Sequence, residues 1–328
     1  MRILFVTATR IGDAILSTGL LSHLIDRYPN AQITVAVGPA AATLFNAMPN
    51  LDRVIVLRKQ RLSLHWLKLW RQCALQRWDM VIDLRRSAMS WLLLARERQL
   101  PPPTNLEVHR VLYLAATLGL QVYPPAPTCW THPQDDADAA LLVPDGPPVL
   151  AVAAAANWPG KQWRPERFVE LMIRLTDTDG VLPHCRIAIL AAAQEFEQVQ
   201  PLLDAIPSDR ILNLVGRTNL PVAAAVLRRC ALFIGNDSGL MHMSAAVGLP
   251  TLGLFGPSRN VHYAPWGELT ACVRTDLSYD EIVSAPGYDH RTTGTVMDSL
   301  SVDKAEAAAR DLWARIEAAK GGSVRRQA

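Results

Sequence analysis

LFIGNDSGLMHMSAAVGLPTLGLFGPS, Leu232 to Ser258, is the stretch from which the rest of the chain is read. The apolar runs Leu232–Ile234 and Thr251–Phe255 are short and bounded by Gly and Pro, as in strands buried in a parallel sheet. Between them Gly235–Gly239 reads as a polar turn and Leu240–Val247 as a short helix; Gly256-Pro257-Ser258 closes the second strand. Two tight turns at the carboxyl ends of neighbouring strands make the crevice where open α/β sheets bind ligands. Asp237 or Ser238 is placed to cap the helix, and Gly239 lets the backbone approach a ligand closely. The free N–H groups of the helix start suit a phosphate.

Working outward, the same alternation recurs through the chain. Ile3–Thr7, Gln32–Val37, Val54–Leu57 and Met80–Leu84 read as strands, with Ile15–Arg27 an amphipathic helix between the first two. Val143-Pro144-Asp145-Gly146-Pro147-Pro148 has the composition of an interdomain linker. It divides the chain into residues 1–145 and 149–328, each long enough to bury a core of its own. The second half restarts with strand Val149–Ala154, then Asn157-Trp158-Pro159-Gly160-Lys161-Gln162-Trp163-Arg164-Pro165-Glu166. Pro165-Glu166 marks a helix N-terminus, and Trp163 and Phe168 read as packing residues. Arg186–Leu190 is a further strand, followed by Ala191-Ala192-Ala193-Gln194-Glu195; Val302–Lys320 is a terminal helix, and Gly321–Arg326 a frayed tail.

Half of the 328 residues are apolar and 19% charged, which fits a globular chain. Cys73, Cys129, Cys185, Cys230 and Cys272 are odd in number and scattered, without a Cys-x-x-Cys pair. That pattern speaks against a disulfide framework or a zinc site and fits a reducing cytoplasm. Met1–Val6 runs directly into a strand without a leader-like cleavage site, and no apolar run reaches the roughly 20 residues of a membrane-spanning helix. Net charge is +3, yet residues 51–110 carry 12 Lys and Arg against 5 Asp and Glu. From about 58 to 78, Arg58, Lys59, Arg61, Lys68 and Arg71 surround Leu62, Trp66, Leu69 and Trp70 at helical spacing. A basic, Trp-rich amphipathic helix suits an anionic membrane surface or a phosphorylated glycolipid; the plainer alternative is a domain helix with its Trp residues in the core. Arg85 and Arg86, just past a strand end, are placed either to grip acceptor phosphates or simply to face solvent. No nucleic-acid motif accompanies the charge.

Asn236-Asp237-Ser238-Gly239-Leu240-Met241-His242, with Gly248-Leu249-Pro250 and Phe255-Gly256-Pro257-Ser258 in this order and spacing, resembles the heptosyltransferases of glycosyltransferase family 9. Arg10, Gly12, Asp13 and Thr18 resemble that family's first turn and helix, although Gly19 stands where its members commonly have Pro. Lys161-Gln162-Trp163-Arg164-Pro165-Glu166 resembles its second signature, and Leu212–Thr218 and Tyr263–Gly267 also match. The resemblance implies the GT-B architecture, two Rossmann-like β/α domains facing across a cleft. The N-terminal domain would take the acceptor and the C-terminal domain the nucleotide-sugar, with the helix of about 302–320 packing back on the first domain. It further implies that Asp13 is the general base, where the plain alternative is a helix cap. Lys161 is implied to hold the donor diphosphate. Asp237, Ser238, Gly239, His242, Glu195 and Thr218 would line the donor site, with structural alternatives such as a helix cap for Asp237 and a packed histidine for His242. Arg10, Gly12, Arg61, Arg85 and Arg86 would line the acceptor site.

The expected function is an inverting, metal-independent transfer of a sugar, heptose from ADP-heptose, to a lipopolysaccharide-core glycolipid at the cytoplasmic face of the inner membrane. No cofactor is expected besides the donor. A nucleotide-sugar epimerase on the same fold, and a catalytically silent nucleotide-sugar-binding protein at the membrane surface, are the alternatives. A nicotinamide-dependent dehydrogenase is disfavoured, since neither first turn carries Gly-x-Gly-x-x-Gly.

Overall fold

Five short strands of the N-terminal half pair side by side in the protein, whose computed structural model describes residues 1–103 and 107–324. They are β1 (Arg2–Val6), β2 (Gln32–Val37), β3 (Leu51–Val56), β4 (Trp78–Asp83) and β5 (Ala95–Gln99), all parallel, in the order β3-β2-β1-β4-β5. The second sheet has β6 (Val149–Ala153), β7 (Arg186–Ile189), β8 (Ile211–Asn213), β9 (Leu232–Asn236), β10 (Thr251–Phe255) and β11 (Thr270–Arg274), again all parallel. Its order is β11-β10-β9-β6-β7-β8. In each sheet the first strand is central and the chain winds first to one side and then to the other. The reversal falls between β1 and β4 in one sheet and between β6 and β9 in the other, which is where open parallel sheets bind ligands.

The helices are α1 (Ile11–Leu16), α2 (Thr18–Arg27), α3 (Leu64–Cys73), α4 (Arg110–Ala115), α5 (Pro133–Leu142), α6 (Pro165–Thr176), α7 (Phe196–Ala205), α8 (Leu220–Arg228), α9 (Gly239–Ala246), α10 (Asn260–Tyr263), α11 (Tyr279–Val283) and α12 (Val302–Val324). The chain forms two compact units, Met1–Asp135 with Asn219–Ala224, and Asp136–Thr218 with the described residues from Ala225 on. The Val143–Pro148 segment, expected as an interdomain linker, is fastened to the second unit. Arg229 donates to Val143 O at 2.7 Å and pairs with Asp145 at 2.5 Å, while Arg186 donates to Pro147 O at 2.8 Å. In the second unit α6 starts at Pro165 as expected and buries Phe168, Leu171 and Leu175. Trp163 stacks edge-on against Phe168 at 5.1 Å and its indole N–H donates to Leu300 O at 2.9 Å, so both aromatics are packing residues. The terminal helix α12 lays Ala305, Ala309, Leu312 and Ile316 into the same core. Arg174 of α6 holds it by Asp303 at 2.6 Å and Glu306 at 3.0 Å. It runs on to Val324, through glycines expected to fray; Arg325 and Arg326 lie outside the described residues.

The helix expected over Ile15–Arg27 starts earlier and is broken at Ser17, which separates α1 from α2. The Ser17 hydroxyl donates to Ala14 O at 2.7 Å and the Thr18 hydroxyl to Ile15 O at 2.8 Å, a local competition that disturbs helices. Thr18 Oγ1 also accepts from the Thr128 N–H at 2.8 Å, which draws the 125–128 segment onto the break. This explains Gly19. A Cβ there would sit 2.2 Å from Pro125 O and 2.8 Å from Ala126 O, both backbone atoms that cannot swing away. Gly→Ala inside a helix ordinarily stabilises by about 0.8–1.0 kcal/mol. At this contact the sign reverses, and Gly19→Ala is expected to cost about 1–3 kcal/mol. Urea unfolding measures it, and an unchanged or raised midpoint would rule the contact out.

Candidate active site

Asn236, fully buried at the end of β9, organises the second unit's switch point. Its Nδ2 donates to Ala154 O just past β6 at 2.6 Å, and its Oδ1 accepts from the Trp163 N–H at 3.3 Å. One amide therefore locks the ends of two strands and the turn that carries Lys161. The next residue, Asp237, is 7% exposed, with its N–H on Leu254 O at 3.2 Å. Its Oδ2 accepts from Lys161 Nζ, and its Oδ1 lies 3.8 Å from His242 Nε2. His242 is itself buried, one turn into α9, with its ring edge-on to Tyr263 at 6.4 Å. A carboxylate this deep is tolerated only with a charged partner; Lys161 supplies it from a side chain 20% exposed.

The helix start is left open. Ser238 occupies the N-cap position of α9 in extended conformation, yet no side chain caps the first turn, and its hydroxyl is buried with no partner among the described residues. The expectation that Asp237 or Ser238 caps this helix is therefore corrected: Asp237 is committed to Lys161 and His242 instead. The first amides of α9 thus have no side-chain cap, which leaves an anion site of the usual kind. Trp158 Nε1, Ser258 Oγ and Tyr288 Oη are likewise buried without a partner among the described residues. Lys161 Nζ stands 5.7 Å from the Trp158 ring centroid, and His290 packs edge-on against that ring at 6.0 Å. A buried polar group left unmade costs about 1–3 kcal/mol, and the Trp158 indole N–H, next to Lys161, is such a group placed where a ligand could satisfy it. Sequence reading gave none of these three a role, because a lone Trp, Ser or Tyr in a loop carries no periodicity.

Glu195 and Thr218 lie at the exits of β7 and β8. The Glu195 carboxylate accepts from the Ala192 N–H at 2.8 Å, which closes its own turn and leaves one oxygen for other partners. Ala191–Ala193 replace a glycine-rich turn without strain, since none of them has positive φ. Thr218 is partly buried, and no contact brings it to the Lys161–Asp237–His242 group.

At the first unit's switch point, β1 leads into α1 through Thr9 and Arg10. Arg10 is the exposed N-cap residue and forms no side-chain cap. Gly12 and Asp13 follow in the first turn, both partly buried, and no described residue forms a hydrogen bond or ion pair with the Asp13 carboxylate. The helix-cap alternative for Asp13 is thus not realised. On the other side of the switch, buried Asp83 accepts from the amides of Arg85 at 2.9 Å and Ser87 at 2.7 Å, wrapping the turn that displays Arg85 and Arg86. Arg85 lies over the Trp66 ring at 5.8 Å. Arg86, in the left-handed region at φ 51°, spends part of its guanidinium on Pro101 O at 2.5 Å. Arg61 is exposed in a 3-10 turn before α3. Among the described residues no group of three or more His, Cys, Asp or Glu is placed to hold a metal ion.

The pattern of glycosyltransferase family 9 (heptosyltransferase) matches residues 84–285, well over half of the chain. The protein belongs to glycosyltransferase family 9. Lipopolysaccharide heptosyltransferase 2 of Salmonella typhimurium is 26% identical to this family 9 glycosyltransferase over 319 residues, covering 86% of this chain and 90% of the relative. Among solved structures, the family 9 glycosyl transferase of Veillonella parvula superposes with a TM-score of 0.80 at 21% identity, covering 96% of this chain and 97% of that one. The ADP-heptose LPS heptosyltransferase II of E. coli gives 0.73 at 19% identity, covering 97% and all of the neighbour. With two parallel-sheet β/α units, the glycosyltransferase has the GT-B fold.

Proposed function

We propose that the chain transfers a heptosyl group from ADP-heptose to a lipopolysaccharide-core acceptor, with inversion and without a divalent cation, at the cytoplasmic face of the inner membrane. The observation that carries this reading is the Lys161–Asp237 pair beside the uncapped start of α9. Lys161 has three N–H donors, of which Asp237 takes one; the remainder, with the α9 amides, can take up the charge that grows on the diphosphate as its bond to the anomeric carbon breaks. Asp13, unengaged in the first unit, takes the proton of the acceptor hydroxyl as that oxygen forms the new bond to the same carbon. The nucleoside diphosphate leaves with the electron pair of the broken bond. A cation on the protein and helix amides together substitute for the role a divalent metal plays in other transferases. The named Salmonella relative supports heptose and lipopolysaccharide, and the E. coli neighbour, an ADP-heptose LPS heptosyltransferase, supports ADP-heptose as the donor. All five cysteines are free, in keeping with a reducing compartment. Family membership sets this reading ahead of the epimerase.

The test combines ADP-heptose, a heptose-deficient core acceptor and excess chelator, with the product anomer assigned by NMR. Turnover undiminished by chelator and an anomeric configuration opposite to the donor's are expected. Retention of configuration, or full dependence on added magnesium or manganese, would overturn the mechanism.

A further inference from the structure

The basic stretch expected as one helix over about 58–78 is a shorter helix, and its tryptophans turn inward. Leu62 and Ser63 sit in the left-handed region at φ 52° and 58°, so α3 begins only at Leu64 and ends at Cys73. Trp66, Leu69, Trp70 and Cys73, spaced three and four apart, pack on the first unit's core. The opposite face, Leu64, Leu67, Lys68 and Arg71, is exposed. Leucines and cations thus share the outer face of one helix.

A segment packed against α3 also displays apolar side chains. Between β4 and β5 a 3-10 turn, Ala88–Leu92, buries Met89 and Leu93 while leaving Trp91, Leu92 and Leu94 exposed at 65%, 68% and 61%. It is held firmly: the Trp70 indole N–H donates to Leu92 O at 3.0 Å, and Arg98 donates to Ser90 O at 3.0 Å and Leu93 O at 2.5 Å. The Arg98 guanidinium also lies over Trp91 at 5.8 Å. Rigid display of large apolar side chains to solvent is costly and marks an interaction surface. Leu62, 93% exposed on a left-handed backbone, adds to it.

We propose that the outer face of α3 and the Ala88–Leu94 turn together form a docking surface for an anionic lipid bilayer. Charge complementarity fixes the occupant. Exposed Lys68, Arg71 and Arg61, in a stretch with no acidic residue from Arg53 to Trp78, match lipid phosphates, while the leucines and Trp91 enter the headgroup layer. No helix among the described residues is long and apolar enough to cross a membrane, so attachment is at the surface. The inference goes beyond the transfer reaction, and its test needs neither donor nor acceptor, so the two readings fail separately.

Flotation with vesicles of phosphatidylethanolamine and phosphatidylglycerol, against pure phosphatidylcholine, decides it. The unaltered chain is expected to float with the anionic vesicles at low salt and to lose most of that binding at 1 M salt, where the screening length falls to about 3 Å. Leu92→Glu with Leu94→Glu is expected to weaken binding at least tenfold, and Lys68→Glu with Arg71→Glu similarly. In both variants the thermal midpoint and the shift given by ADP are expected to stay unchanged, since these side chains are exposed and outside the site. Equal flotation of the leucine variant would overturn the proposal, as would absence of binding by the unaltered chain. So would a dimer in light scattering that Leu92→Glu and Leu94→Glu convert to monomer, which would make a second copy the occupant.

Discussion

Asp13→Asn is expected to lower kcat by about 10²–10⁴-fold, the range for losing a positioned general base. The amide keeps the shape and the acceptor oxygen of the carboxylate and loses only the capacity to take a proton. Asp13 is well suited to this experiment because it stands in the first turn of α1 without a hydrogen bond or ion pair to any described residue. A structural aspartate there would occupy its oxygens with backbone amides, and its replacement would loosen α1. Here the thermal midpoint and the ADP-induced shift are expected to match those of the parent, so that the loss falls on the chemical step alone. A kcat within about threefold of the parent's would end its candidacy as the base, a base being worth at least ~10²-fold.

Lys161→Ala is expected to reduce kcat by about 10²–10³-fold, since it removes a fixed charge from the place where the leaving diphosphate becomes more negative. Asp237→Asn is expected to produce a loss of the same order by a different route: the lysine keeps its charge but is no longer held. Because the two act as a pair, the double variant is expected to be far less impaired than the product of the single effects, with a coupling of about 0.5–3 kcal/mol. Lys161→Ala also strands a carboxylate that is 7% exposed. Removing one partner of a buried pair costs about 3–5 kcal/mol, reduced here because Lys161 is itself partly in water. A fall in thermal midpoint for Lys161→Ala that Asp237→Asn partly restores in the double variant would identify this cost. Strictly multiplicative kinetics would show that the two residues work independently, contrary to the geometry.

The central strands were the most legible part of the sequence, because each is a short apolar run stopped by Gly, Pro or a polar turn; the edge strands β5, which reads Ala-Arg-Glu-Arg-Gln, and β11 were not read as strands, since partly exposed edges need no apolar run. The Asn236–Gly239 turn was legible too, since its signal is local, whereas Lys161 was singled out only by the resemblance to the family. What was hidden depends on partners far along the chain. The break at Ser17 needs the carbonyls that Ser17 and Thr18 capture and the distant Thr128 amide that Thr18 receives. Gly19 made sense only when Pro125 O was seen where a side chain would go. Spacing put Trp66 and Trp70 on one side of a helix, but only the core beneath decides which side is inward. The Ala88–Leu94 turn has no helical or strand period, so its exposed Trp91, Leu92 and Leu94 gave no pattern to read. The unpartnered Trp158 indole beside Lys161 and the buried hydroxyls of Ser258 and Tyr288 were silent for a related reason: being unsatisfied is a property of surroundings.

The wholly parallel sheets also bear on how the chain acquires its shape during synthesis. Among the described residues no strand has a hairpin partner, so neither sheet can form from adjacent residues alone. Ile3 of β1 finds Met80 of β4 only after some eighty residues have emerged, and Leu150 of β6 waits as long for Leu232. Such distant pairings fold slowly, and until they form the central strands leave the ribosome with open, apolar edges. This chain is thus expected to depend on chaperones at birth more heavily than its ordinary size suggests.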